Sequence, residues 1–307
     1  MKLEPKAKKI QLERGSWLHV LLQTHYDGED WKRAHKRLTT VFYDLFEEQR
    51  EELGDLPDEC LRIMRSYLRY WKNEDQFLIP VDSELDEIVT LPNGLEFHII
   101  VDLIMEDRRT GILWPFDHKS RKSFESSDNM LLDPQLSNYY WALRIMGYKP
   151  LGGVVYNEIR TKPPTVPKLT ARTGQLSRRR NIDTDVYTFM SQIKRYGFDP
   201  SDYADILRHL ARTEHERFFR RVKLPKDPPL LRTMRRELVY SAREIANAER
   251  ANAFPRSFNK QCRWDCDFRN ICIAELMGGD ISSMIKMNFR RRTREDQIEK
   301  ERPWQQD

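Results

Sequence analysis

Apolar residues recur at helical spacing through the first quarter of the chain, then switch to strand spacing. Trp17 to Leu22 place apolar side chains on one face directly after Gly15-Ser16, which predicts a short helix capped by Ser16. Trp31, Ala34, Leu38, Val41, Phe42 and Leu45 continue the period in a second helix over 30–53. Pro57 opens a third, with Leu61, Met64, Leu68 and Trp71 as its buried stripe. After Asp75 the pattern becomes β-rich over 78–81, 84–91, 97–105 and 112–118, with turns at Asn93-Gly94 and over 107–111. These segments predict a central antiparallel meander. A helix over 134–146 and a strand over 153–159 complete a mixed α/β core.

Residues 161–185 are loop-like, with Pro163, Pro164, Pro167 and the run Arg178–Arg180. Helices are expected over 185–196, 200–211 and 228–252, the last with Leu231, Met234, Leu238, Ala242 and Ile245 on one side. Residues 218–224 alternate like an edge strand. A cysteine-rich loop follows, and the tail from Phe289 is too polar to pack. The expected organisation is one domain over 1–288: a helical part 15–75, a core 76–160, a basic and helical region 161–255, a cysteine loop 256–278, then a tail 289–307.

Hydrophobic residues make up 39% of the 307, enough for a packed core, which excludes a disordered chain. Lys+Arg 53 against Asp+Glu 48 leaves only +5, so placement of the cations matters more than their sum. They bunch at 6–9, 178–180, 217–223, 232–236 and 290–294, as a phosphate-binding face would require, although solvated helix faces account for part of such a pattern. The N-terminus carries no apolar leader, and no segment approaches a membrane span. A cytoplasmic, reducing compartment of a bacterial or phage-infected cell is therefore expected, where two disulfides would be out of place.

The candidate chemistry lies in Glu96–Asp102 and Trp114–Lys119. In a hairpin Asp102 and Asp117 fall close together on neighbouring strands. Two carboxylates in a partly buried site repel unless a cation lies between them, which invites Mg2+ or Mn2+. Lys119, two residues after Asp117, shares its face of the strand. A carboxylate-held metal and an ammonium suit phosphodiester hydrolysis. Taken alone, the triplet is a weak signal, and an exposed salt bridge is the commoner reading of it. His19 adds a candidate third ligand on the core side of the first helix. Gln135 and Tyr139, four apart on one helix face, can both donate to a phosphate or to the attacking water.

Arg14-Gly15 with His19, then Asp102, Asp117-His118-Lys119 and Gln135-x-x-x-Tyr139, resemble in residue and order the RecB-like branch of the PD-(D/E)XK nucleases. That branch includes AddB-like, CRISPR-adaptation-type and phage-encoded single-domain exonucleases. The resemblance implies a restriction-endonuclease-like mixed sheet flanked by helices, with a helical insertion. It implies His19, Asp102, Asp117 and the carbonyl of His118 as metal ligands, Lys119 as the catalytic lysine, and Gln135 and Tyr139 as supports for substrate and water. One departure is Ile99, where the family often has glycine three residues before the first aspartate.

Cys262, Cys266 and Cys272 form a compact set, and Cys60 is the only other cysteine. Four thiolates at one site hold a 4Fe–4S cluster or zinc. One distant cysteine plus a C-terminal triplet is similar to the iron–sulfur nucleases of the same branch, although the first spacing here is three residues rather than the usual two. Zinc stays open as the alternative. For phosphate contacts the candidates are Arg178, Arg179, Arg180, Arg220, Arg221 and Lys223. Tyr139, Tyr140 and Trp141 suit base stacking or the core alike. The resulting expectation is a metal-dependent DNA exonuclease acting on single strands or free ends in recombination, repair or phage DNA metabolism. It would work alone, as a homo-oligomer or with repair partners. A non-catalytic DNA-end-binding subunit and a zinc-stapled nucleic-acid-binding protein are the competing readings.

Overall fold

The computed structural model of the protein describes residues 3–6, 9–213 and 216–291. Positions 7–8 of the first basic run, and 292–307 of the expected tail, lie outside them. In chain order the elements are β1 (Leu3–Pro5), α1 (Ile10–Tyr26), α2 (Trp31–Tyr43), α3 (Glu47–Leu53), α4 (Leu56–Asp75), β2 (Leu78–Thr90), β3 (Glu96–Asp107) and β4 (Ile112–Arg121). There follow α5 (Ser127–Leu132), α6 (Pro134–Met146), β5 (Val154–Arg160), α7 (Val186–Tyr196), α8 (Ala204–Thr213) and β6 (Phe219–Leu224). The chain closes with α9 (Pro228–Ala251), α10 (Arg269–Leu276), α11 (Ser282–Asn288) and β7 (Phe289–Arg291). Two compact units result: Met1–Glu13, Thr40–Gly54 and Glu244–Asp307 form one, and Arg14–Thr39 with Asp55–Arg243 form the other.

The larger unit is built on a five-stranded sheet in the order β2-β3-β4-β5-β6. Strands β2 to β4 are the antiparallel meander the alternation predicts. β5 then pairs with β4 in parallel, and β6 closes the edge antiparallel to β5. β5 is buried along nearly its whole length, Asn157 and Glu158 included, so Val154–Ile159 does not alternate as a half-exposed strand would. α6 covers the sheet: Leu136, Tyr139, Tyr140, Ala142 and Leu143 pack with Val101, Ile104, Val154 and Tyr156. Asp133 caps this helix by accepting from the Gln135 amide at 2.9 Å, and Gly147 ends it in a left-handed turn. A satellite core of Phe189, Ile193, Tyr203, Ile206 and Leu210 holds α7 to α8.

Several boundaries differ from the sequence expectation. Ser16 does not cap a helix; α1 begins six residues earlier, because the polar lead-in Ile10–Glu13 adds a turn that no apolar stripe marks. The predicted 30–53 helix is two helices, broken at 44–46. The two segments 78–81 and 84–91 are a single strand interrupted by a bulge. α9 buries only Leu231 of its predicted stripe, and Ile245 is 60% exposed.

The smaller unit pairs β1 with β7 and stacks Phe289 on Phe268, with ring centroids 5.1 Å apart. The start of the polar tail therefore packs, against expectation, through one aromatic side chain. Lys9 ties this unit to its cysteine-rich segment by ion pairs to Asp265 and Asp267.

Candidate active site

β3 and β4 pair from the hairpin turn as far as Leu103 and Phe116, and there β4 leaves β3 and continues alongside β5. Asp102 and Asp117 are the next residues on each strand, so the two carboxylates stand where the ladder opens. Asp102 bridges the gap with Oδ2, which accepts from the His118 amide at 2.6 Å. Asp117 is 2% exposed. Its Oδ1 accepts from Lys119 Nζ at 3.0 Å; its Oδ2 lies 2.9 Å from the same nitrogen but is buried without a hydrogen-bond partner. Burial, with the charge of Asp102 beside it, pushes the Asp117 carboxyl up to about 6.

Strand alternation sends His118 to the opposite face from Asp117 and Lys119. Its buried imidazole accepts from Asn157 Nδ2 at 2.7 Å, and burial drives its pKa down to about 3, so it stays neutral. Its carbonyl is left facing His19. α1 delivers His19 through a close approach at Gly15, where a Cβ would meet Ser120 Oγ of β4 at 3.2 Å. One turn later, His19 Nε2 donates to the His118 carbonyl at 2.8 Å, and Nδ1 stands 3.7 Å from Asp102. In the neutral ring that Nδ1 is a lone pair directed at a carboxylate, a repulsion relieved only by a proton or a cation. Burial opposes protonation of His19, but the charges of Asp102 and Glu84 outweigh it and raise its pKa.

Glu84 completes the group. Ligand atoms of His19, Glu84 and Asp102 all fall within 4.8 Å of one another. Glu84 reaches this place from β2, between the Ser83–Leu103 and Leu85–Val101 pairs and thus opposite Asp102. Its backbone is left-handed, with φ 45°, just past the bulge at Pro80–Asp82. No sequence pattern marks it: Glu84 stands only as the first residue of the expected 84–91 strand.

On the other side of Lys119, its Nζ donates to Gln135 Oε1 at 2.9 Å, and Gln135 Nε2 donates to Tyr139 Oη at 2.9 Å. The chain Asp117–Lys119–Gln135–Tyr139 is thus continuous. Burial lifts the Tyr139 phenol to about 12, so it remains a donor. Asp133 holds the start of α6 to β5 by accepting from Tyr156 Oη at 2.5 Å.

The PD-(D/E)XK nuclease superfamily model matches residues 1–273. The chain belongs to that superfamily. Its members are nucleases that use divalent metals such as Mg2+ or Mn2+, and the donor set here fits such an ion: two carboxylates and an imidazole within reach of one another, beside the buried Asp117 carboxylate. No curated protein matches the chain. Eight chains among solved structures do, one of them described as the crystal structure of SSO0001, at 12% identity, a TM-score of 0.30 and 84% coverage of each chain.

Among the other residues singled out from the sequence, Arg178, Arg179 and Arg180 are exposed on the 161–185 loop, and Lys223 is exposed with Nζ 4.9 Å above the Trp114 ring. Arg220 and Arg221 are occupied elsewhere. Arg220 bonds the fully buried Glu158 at 2.8 Å. The Arg221 side chain, 3% exposed, bonds Asp75, Tyr26, Tyr67 and Asn157, so it braces the sheet instead of facing solvent. Cys60 is fully buried in α4, and burial pushes its thiol up to about 12. Cys262, Cys266 and Cys272 are half-buried free thiols. No helix among the described residues is long and apolar enough to cross a membrane.

Proposed function

We propose that this superfamily member is a Mg2+- or Mn2+-dependent DNA exonuclease acting in recombination, repair or phage DNA metabolism. The observation that carries the reading is the Lys119 ammonium, shared between Asp117 and Gln135 beside the His19–Glu84–Asp102 group. A divalent ion bound there would supply Lewis-acid polarisation of the phosphate and an activated water. His19, Glu84 and Asp102 would hold it, with the Asp117 carboxylate beside them as a further ligand. Lys119 Nζ, already fixed by two acceptors, would offer its remaining N–H to the developing negative charge on a non-bridging oxygen. Gln135 fixes that ammonium from behind and is itself oriented by Tyr139. Arg178–Arg180 and Lys223 would contact the backbone outside the cleft.

The test is digestion of end-labelled linear and covalently closed circular DNA with Mg2+ or Mn2+. Linear DNA should be degraded and circular DNA spared, with Lys119→Ala lowering the rate about 100-fold or more and Asp117→Ala abolishing it. Equal cutting by both variants would end the reading, and DNA binding without cutting in the unaltered protein would favour a non-catalytic end-binding subunit.

For the cysteines we propose a 4Fe–4S cluster on the sequence spacing alone. Iron with sulfide in anaerobically purified protein would support it, whereas zinc, or neither, would remove it. Alkylation gives a second readout: without a cluster, native protein at pH 8 should be modified at Cys262, Cys266 and Cys272 but not at the buried Cys60. With a cluster all four should resist.

A further inference from the structure

A second basic surface lies at the far end of α6. A pocket of about 490 Å³ opens between the end of β2, the C-terminal end of α6 and the N-terminal half of α9. Trp141, Arg144, Arg232 and Arg235 line it, over a floor that includes Leu231. The walls are fixed: Leu231 belongs to the main core, and the Asn93 side chain at the β2–β3 turn donates to the Val239 carbonyl of α9 at 3.3 Å. Trp141 rests partly on that core and presents its remaining surface to the pocket.

The three arginines are exposed, and none is in an ion pair among the described residues. Arg144, in the last turn of α6, gains from the helix dipole there. Arg232 and Arg235 gain nothing of the kind, because they stand near the positive end of α9. Three cations converging on one concavity without an acid among them repel one another until an anion enters.

The position of the pocket decides which anion. α6 starts at the active site with Gln135 and ends at the pocket with Arg144, nine residues on, a rise of about 14 Å and half a turn around a helix about 10 Å across. β2 spans the same interval from Glu84 to Thr90, about 20 Å in extended chain. At about 3.4 Å per stacked nucleotide, that separation corresponds to roughly four to six nucleotides.

We infer that this pocket is a distal subsite for the substrate strand, in which the three arginines hold phosphates and Trp141 stacks on a base of a single-stranded segment whose scissile phosphate lies at Lys119. The inference rests on the nuclease reading and adds a site size to it. Substrates shorter than the separation would miss the subsite, and longer ones would fill it.

The experiment compares the full-length protein with Arg144→Ala/Arg232→Ala/Arg235→Ala and with Trp141→Leu, each checked for an unchanged melting temperature. Fluorescence anisotropy without divalent metal measures binding of a three-nucleotide and a twelve-nucleotide single strand. Cleavage of both is then followed with Mn2+. The arginine variant should bind the longer strand at least ten-fold more weakly and lose about 2 from the slope of log K against log salt, since each phosphate contact on a single strand contributes about 0.7. Trp141→Leu should weaken the same binding about ten-fold with the salt slope retained. Neither should alter handling of the three-nucleotide strand. Unchanged binding of the longer strand overturns the subsite. So does an equal loss for both lengths, or binding of a free nucleotide such as ATP as tightly as the longer strand. Failure of the unaltered protein to cleave either strand sinks the nuclease reading alone, because the metal-free binding comparison still reads the pocket.

Discussion

Glu84 owes its place to a single backbone conformation. A non-glycine residue at positive φ costs on the order of 1 kcal/mol or more, and it persists where the surroundings impose it. Here it brings a third candidate ligand beside His19 and Asp102. Glu84→Gln keeps the shape and removes the charge. It should raise the Mn2+ concentration giving half-maximal activity about ten-fold or more, with kcat at saturating metal reduced far less. A metal titration indistinguishable from that of the unaltered protein would remove Glu84 from the site. The contrast with Asp102, Asp117 and Lys119 shows what a sequence carries. Asp117 and Lys119 alternate on one regular strand and Asp102 lies on its hairpin partner, so alternation and a turn bring the three together. Glu84 depends on an irregularity, and irregularity has no period. Likewise, Arg220 and Arg221 read as surface cations on an edge strand, because their partners Glu158 and Asp75 come from parts of the chain 62 and 146 residues away.

At the scale of elements, the meander, α6, β5 and β6 were all legible from alternation, helical spacing and turn residues. What stayed hidden was pairing that depends on distant chain: the parallel β4–β5 alignment, and the β1–β7 pair that closes the smaller unit. The crossing into β5 also turns on a glycine. Gly153 has φ 149°, and a Cβ there would lie 2.3 Å from the Leu224 carbonyl oxygen, which is backbone and has little room to yield. Gly153→Ala should therefore separate β5 from β6 and cost about 3 kcal/mol or more, read as a lowered midpoint in urea. Unchanged stability would mean that the edge strand can shift freely. Gly15 differs, since its neighbour is a serine hydroxyl that can rotate away.

For the larger unit as a whole, the network around Arg221 joins the end of α1 at Tyr26, α4 at Tyr67 and Asp75, and β5 at Asn157. Asn157 in turn donates to His118, so the brace runs to the residue whose carbonyl meets His19. Removing one partner of a buried ion pair strands the other. Arg221→Ala should cost about 3–5 kcal/mol and lower the melting temperature with or without DNA. Arg178→Ala/Arg179→Ala/Arg180→Ala should leave melting unchanged and flatten the salt dependence of DNA binding by about 2. A stable Arg221→Ala protein with weakened binding would return that residue to the DNA-contact set.

The extra residue in β2 makes two fittings independent of each other. Val81 is skipped where the ladder with β3 steps from Pro80 to Asp82. Upstream, the chain must leave α4 with Asp75 seated on Arg221. Downstream, it must arrive opposite Asp102 with a carboxylate in hand. A strand without that slack would have one phase for both ends, and any adjustment that suited the brace would carry the ligand to the wrong side of the sheet. The loose stitch at Val81 lets the scaffold and the chemistry be set separately, by different stretches of one strand.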